Sequence, residues 1–201
     1  MNSSPSVGRT ILVGGGARSG KSRFALGYAR KLGKRRTFVA TAEALDAEME
    51  ARIARHREER GGAFTTVEAP RDLPGALESI AADVVVVDCL TLWLSNLLGA
   101  DPAESAIRLR IEALAAVLAR RRFAAVLVTN EVGLGLVPET PLGRAFRDLA
   151  GWTHQRLVRD ADEIYLAALG VVLRLHPGPV ERAPDHEHEH EHEHDHPEEA
   201  P

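Results

Sequence analysis

Gly15-Gly16-Ala17-Arg18-Ser19-Gly20-Lys21-Ser22 is a G-x-x-x-x-G-K-S run that follows the apolar Ile11-Leu12-Val13. This spacing suits the phosphates of a nucleoside triphosphate, ATP or GTP. The glycines let backbone N–H groups turn inward with no Cβ in the way. Lys21 has the reach and charge for the β- and γ-phosphates, and the Ser22 hydroxyl stands where Mg²⁺ is held. A helix starting here aims its positive end at the anion. Asp88 closes a run of four valines, Val84 to Val87. That pattern reads as a buried parallel strand delivering a carboxylate to the same Mg²⁺.

His56 is the second chemical candidate. Arg52, Arg55, Arg57 and Arg60 surround it on one predicted helix, a charge that suits a triphosphate. Spacing alone leaves two readings open. The imidazole is surface decoration, or it is a nucleophile that attacks an α-phosphate and carries a phosphoramidate. Asn130 to Glu139, with Gly133, Gly135 and Pro138, follows a strand pattern, where ligand loops of α/β proteins lie. Arg144 and Arg147 on the next helix either clamp phosphate or are solvated. A switch GTPase is excluded: Cys89-Leu90-Thr91 follows Asp88 where Asp-x-x-Gly is needed, and no Asn-Lys-x-Asp is present.

The elements that must position these residues alternate. Strands are predicted over 10–13, 37–41, 64–68, 84–87 and 124–129, with a terminal hairpin over 163–168 and 171–175. Helices are predicted over 23–32, 42–60 (Thr41 as N-cap, Gly61-Gly62 as stop), within 70–82, and over 90–99, 102–122 and 142–160. Leu45, Met49 and Ile53 form an apolar stripe, and His56 continues along that face. Strands alternating with helices predict an α/β fold, mainly parallel, with an antiparallel edge. The expected organisation is a loose 1–9, a nucleotide-binding domain over 10–180, and a disordered tail over 181–201.

Of the 201 residues, 183–201 hold eight acids and no Lys or Arg; the rest carries 21 acids against 25 bases, a net charge of +4. Such a body suits a small phosphorylated ligand and is too weakly basic to argue for nucleic acid. Cys89 is the only cysteine, so no internal disulfide forms. No apolar run approaches the roughly 18 residues of a membrane span. A soluble cytoplasmic protein is expected. In the tail, His186, His188, His190, His192, His194 and His196 alternate with acids, a composition that binds Zn²⁺, Ni²⁺ or Co²⁺. Beside a phosphate loop, it supports an alternative, a GTPase for metal delivery.

Three stretches together resemble one family: 15–22; 48–57, ending in Arg55-His56-Arg57; and 128–139, continued by Arg144, Phe146, Arg147, Asp148 and Gly151. The resemblance spans about Ile11 to Leu175 and is to the bifunctional adenosylcobinamide kinase / adenosylcobinamide-phosphate guanylyltransferases of cobalamin biosynthesis. It implies a RecA-like P-loop sheet and a homo-oligomer, with a trimer as the family form. It implies phosphorylation of adenosylcobinamide on its aminopropanol hydroxyl by ATP or GTP. Transfer of GMP from GTP to the adenosylcobinamide phosphate follows, through a guanylylated histidine that matches His56. Implied nucleotide contacts fall on Gly15 to Ser22, on Ala40, Thr41 and Ala42, on Arg57, Glu58, Glu59 and Arg60, on Glu68 and on Asp88. The chain departs from the family pattern at His154-Gln155, where Asn-Gln is common, and carries Asp88 where some members have Glu.

Overall fold

The computed structural model describes residues 8–44, 46–100 and 103–178. The seven strands are β1 (Thr10–Gly15), β2 (Arg36–Ala40), β3 (Thr65–Glu68), β4 (Val84–Asp88), β5 (Ala124–Val128), β6 (Glu163–Ala168) and β7 (Val171–His176). They form one sheet in the order β3-β2-β4-β5-β1-β6-β7, parallel except for the antiparallel β6–β7 edge. The helices are α1 (Lys21–Leu32), α2 (Ala47–Arg60), α3 (Leu73–Ser79), α4 (Leu90–Ala100), α5 (Glu104–Ala119) and α6 (Pro141–Val158). The sheet with its phosphate loop on β1 has the RecA-like order: β5 lies between β1 and the strand that carries Asp88.

The four-valine run shows why the central strands lack polar alternation. Successive side chains of a strand point to opposite faces. Val85 and Val87 enter one apolar layer with Leu73, Leu77, Trp93, Ile111 and Leu114 from the helices α3, α4 and α5. Val84 and Val86 enter the other, with Ala25, Leu26 and Ala29 of α1. Both faces are covered, so both phases of the strand must be apolar. Among the described residues, no helix is long and apolar enough to cross a membrane.

Register brings the strand ends level. Ala40 pairs with Asp88, Asp88 with Val128, and Val128 with Val13. Ligands of open α/β sheets collect at this carboxyl edge.

The boundaries of α2 and α5 depart furthest from the pattern reading. The helix expected from Ala42 begins at Ala47, where the Asp46 carboxylate accepts the Met49 N–H at 2.7 Å. Thr41 is no N-cap, because its hydroxyl donates to Cys89 O and accepts the Cys89 N–H, both at 2.8 Å. The helix expected over 102–122 runs Glu104–Ala119; Arg121 takes a left-handed φ of 52° and turns the chain toward β5. Leu45, residues 1–7 and the His-rich tail lie outside the described residues.

The edge of the sheet is held by a buried carboxylate. Tyr28 and Tyr165 donate to Glu163 Oε2 at 2.7 and 2.6 Å, and Arg9 donates to Oε1 at 3.2 Å. The two tyrosine rings pack with Phe24, centroids 4.9–5.7 Å apart. Burial alone would raise the Glu163 pKa, but the donors from Tyr165, Tyr28 and Arg9 outweigh it and hold the carboxyl below its ordinary value. A folded pKa below the unfolded one contributes stability that is complete above the unfolded value and lost as pH falls through the folded one. Glu163→Gln is therefore expected to cost about 2 kcal/mol at neutral pH. The gap between variant and wild type should close below roughly pH 4. Thermal melts across that range check it; a gap that persists in acid would remove the charge from the account.

Candidate active site

The phosphate loop is built by backbone that glycine alone accepts at its first position. Gly15 has φ 151°, and a Cβ there would stand 2.3 Å from Ala167 O. Gly20, at φ 94°, caps α1, whose first turn holds no acid to neutralise its positive end. Lys21 is buried and folds back so that Nζ donates to Gly16 O at 2.8 Å. The Ser19 hydroxyl is buried and, among the described residues, has no hydrogen-bond partner. Gly16, Ala17 and Arg18 form the exposed tip of the loop.

A cleft of about 450 Å³ opens beside the loop. Lys21, Ser22 and Asp88 line its phosphate end, and α2 forms a wall through Met49, Ile53, His56, Arg57 and Arg60. These α2 residues recur at i, i+4, i+7, i+8 and i+11, so one helical face looks into the cleft. His56 is the side chain that this face brings to Asp88: Nδ1 lies 4.0 Å from Asp88 Oδ2. The imidazole is about one-third open, the carboxylate nearly closed off, at 30% and 13% exposure.

Arg60 is buried with its guanidinium 3.7 Å from the Phe38 ring centroid, a cation–π contact at the cleft wall. Burial lowers its pKa, Arg57 adds to the lowering and Asp88 opposes it. Guanidinium stays charged throughout. Arg57 donates to Glu68 at 2.6 Å, an exposed pair at the cleft mouth.

Eight of the seventeen residues expected at the nucleotide line this cleft. Ala40, Ala42, Glu68 and Asp88 line the cleft with Lys21, Ser22, Arg57 and Arg60. Thr41 does not: it is fully buried beneath the lining, tying β2 to the turn after β4. Glu58 is exposed and outside the lining. Arg144 is exposed, and its guanidinium donates to Pro138 O and Glu139 O at 3.0 and 2.7 Å, closing the loop before α6. Arg147 pairs with Asp148 at 3.4 Å. The pattern reading missed Glu43, which lines the cleft and pairs with Arg71 at 3.0 Å. Asn130 also lines it, donating to Thr91 Oγ1 at 2.9 Å; its place just past a central strand is the signal that marks it.

Thr41→Val would keep the shape and strip both bonds from the Cys89 peptide. The expected cost is about 1–3 kcal/mol, the penalty for an orphaned buried polar group. Urea unfolding with an unchanged m-value checks it; an unchanged midpoint would mean the hydroxyl is idle.

Ser22 and Asp88 present a hydroxyl and a carboxylate to one space, the hard oxygen donors that suit Mg²⁺. Among the described residues, no three His, Cys, Asp or Glu side chains cluster as a metal site. The tail, where such a cluster was expected, is outside them.

Phosphate loop, strand-end carboxylate and RecA-like sheet order make this a P-loop nucleotide-binding protein. Its family is narrower than its fold. The chain belongs to the cobinamide kinase / cobinamide phosphate guanyltransferase family, which matches residues 11–175. By family it is a transferase, a kinase and nucleotidyltransferase of cobalamin biosynthesis. It is 41% identical over 171 residues to the bifunctional adenosylcobalamin biosynthesis protein CobP of Pseudomonas aeruginosa, covering 84% of this chain and 98% of the relative. It is 41% identical over 182 residues to CobU of Salmonella typhimurium, of the same description, covering 82% and 98%. Among solved structures, a KaiC-like protein from Pyrococcus horikoshii OT3 overlaps at a TM-score of 0.43 and 17% identity, over 79% of this chain and 70% of that one.

Proposed function

We propose that the one cleft serves two reactions in sequence. In the first, the aminopropanol hydroxyl of adenosylcobinamide attacks the γ-phosphorus of ATP or GTP. The new O–P bond forms as the bond to the β-phosphate oxygen breaks. In the second, His56 attacks the α-phosphorus of GTP. An N–P bond forms, pyrophosphate leaves, and the imidazole loses its proton. The phosphate of adenosylcobinamide phosphate then displaces the imidazole, giving adenosylcobinamide-GDP.

The observation that carries this reading is His56 facing the cleft, 4.0 Å from Asp88 and on the same wall as Arg57 and Arg60. With Nδ1 turned to the carboxylate, Nε2 is the nitrogen left for the attack. Lys21 and the α1 N-terminus supply charge to the phosphate tail. Ser22 and Asp88 would hold Mg²⁺, which neutralises charge on the phosphate oxygens. The reading includes a cytoplasmic homo-oligomer, with a trimer the form to seek by light scattering.

The test is covalent. Incubation with GTP labelled at the α-phosphate should mark the protein through an acid-labile, alkali-stable bond. Mass spectrometry should then find one GMP on the peptide that contains His56. Label on any other residue would remove His56 from the mechanism.

A further inference from the structure

We propose that Glu131 is the general base of the phosphorylation step, receiving the hydroxyl proton of the acceptor at the opening of the phosphate loop. The assignment rests on the phosphorylation reading above and adds to it the group that takes the proton.

The placement comes from backbone. The Glu131 N–H donates to Gly15 O at 3.0 Å, which ties this residue to the opening of the phosphate loop. Lys21 Nζ sits one residue along, on Gly16 O at 2.8 Å. A lysine at this point of the motif serves the β- and γ-phosphates. The opening of the loop therefore marks the terminal-phosphate end. Asn130 lines the cleft and bonds Thr91 on α4, whereas the next residue turns toward α6.

The carboxylate there is held and still accessible. Glu131 Oε1 accepts the Gly133 N–H at 2.7 Å. Oε2 lies 3.8 Å from His154 Nδ1, too far to be consumed by a hydrogen bond, and the side chain is 31% exposed. His154 is itself fixed by Thr129 Oγ1, 2.7 Å from Nε2. Burial lowers the His154 pKa, opposed by Glu131, so the neighbour is a neutral ring at physiological pH. Of the acids that line the cleft, Asp88 faces His56, Glu43 pairs with Arg71 and Glu68 with Arg57, while Glu50 stands on the same α2 wall as His56; Glu163 is closed among tyrosines.

The step balances simply. The acceptor O–H proton passes to Glu131 Oε2, the oxygen bonds the γ-phosphorus, and the nucleoside diphosphate departs. Positioning of the hydroxyl is the larger part of the contribution, because phosphoryl transfer has a loose transition state. Alcohol and histidine then act on one triphosphate at its γ and α phosphorus.

Glu131→Gln keeps the backbone anchor and the acceptor for Gly133. It is expected to lower kcat for adenosylcobinamide phosphorylation by about 10²- to 10⁴-fold, the usual worth of general-base catalysis. The nucleotide KM should hold, as should GMP uptake from GTP and its transfer to chemically phosphorylated adenosylcobinamide. Glu131→Asp should recover part of the lost rate. Phosphorylation at the wild-type rate in Glu131→Gln would overturn the assignment. So would an equal fall in both reactions, which would make Glu131 a mere brace of the loop. A wild type that never phosphorylates adenosylcobinamide would overturn the reaction reading and this base together, and the wild-type control tells that case apart.

Discussion

His56→Ala is expected to take up no GMP from GTP and to make no adenosylcobinamide-GDP, while phosphorylation of adenosylcobinamide continues. On the proposed route the loss is complete, because the imidazole is itself the bonded intermediate and no neighbour can take its place. Arg57 and Arg60 line the same wall but are permanently protonated, so neither offers a lone pair. Removal of a half-open side chain leaves no cavity in either apolar layer, so folding should change by less than about 1 kcal/mol. The selective outcome is what makes the experiment decisive. His56 lies on α2, whereas the loop that holds the phosphates begins on β1, and Ser22, Lys21 and Asp88 are untouched. Separate assays of the two half-reactions on one preparation check it. Residual guanylylation at even 1% of wild type, a loss of only about 2.7 kcal/mol, would require a different nucleophile.

Much of this was legible in the residue order, and the failures have physical causes. The phosphate loop is local: its spacing marks a turn between a strand and a helix, and β1 and α1 flank Gly15 to Ser22 as that spacing requires. The central strands were legible because Val84 to Val87 is apolar in both phases, which only a doubly covered strand tolerates. The start of α2 was not. Thr41 is a good N-cap by type, and Ala42, Glu43 and Ala44 are acceptable in a helix. What decides the matter is the Cys89 peptide, 48 residues away, which takes both hydrogen-bonding capacities of the Thr41 hydroxyl. Asp46 then becomes the first residue free to cap.

The same distinction governs the site. That His56 shares a face with Met49 and Ile53 follows from helical periodicity. That this face looks across to Asp88 depends on how β2, β3 and β4 lie side by side, and no local pattern carries that. Arg144 shows the reverse case. Its type and position after a glycine loop left a phosphate clamp or a solvated side chain open, and the structure adds a contact that spacing does not carry, the two carbonyls of its own loop. Charged residues near a ligand loop are ambiguous until their partners are known.

Lys21→Ala should lose both reactions together, which separates it from His56→Ala. Each chemistry places the same triphosphate on the same loop. On that proposal the lysine would steady the γ-phosphoryl group and its bridging oxygen in phosphorylation, and the departing pyrophosphate in guanylylation. Electrostatic contacts to charge that develops in a transition state are worth about 3–4 kcal/mol, so each rate should fall about 10²- to 10³-fold. Nucleotide affinity should weaken as well, since the ammonium faces phosphate before and during reaction. The fold should survive, because the hydrogen bond from Nζ to Gly16 O lies in the exposed loop and removal of a buried positive charge accompanies its loss. Calorimetric titration of GTP, run beside both assays, provides the check. A variant that stops phosphorylating yet still takes up GMP at the wild-type rate would place the guanylylating GTP away from this loop. The proposal of a single cleft for two chemistries would then fail, whatever became of His56.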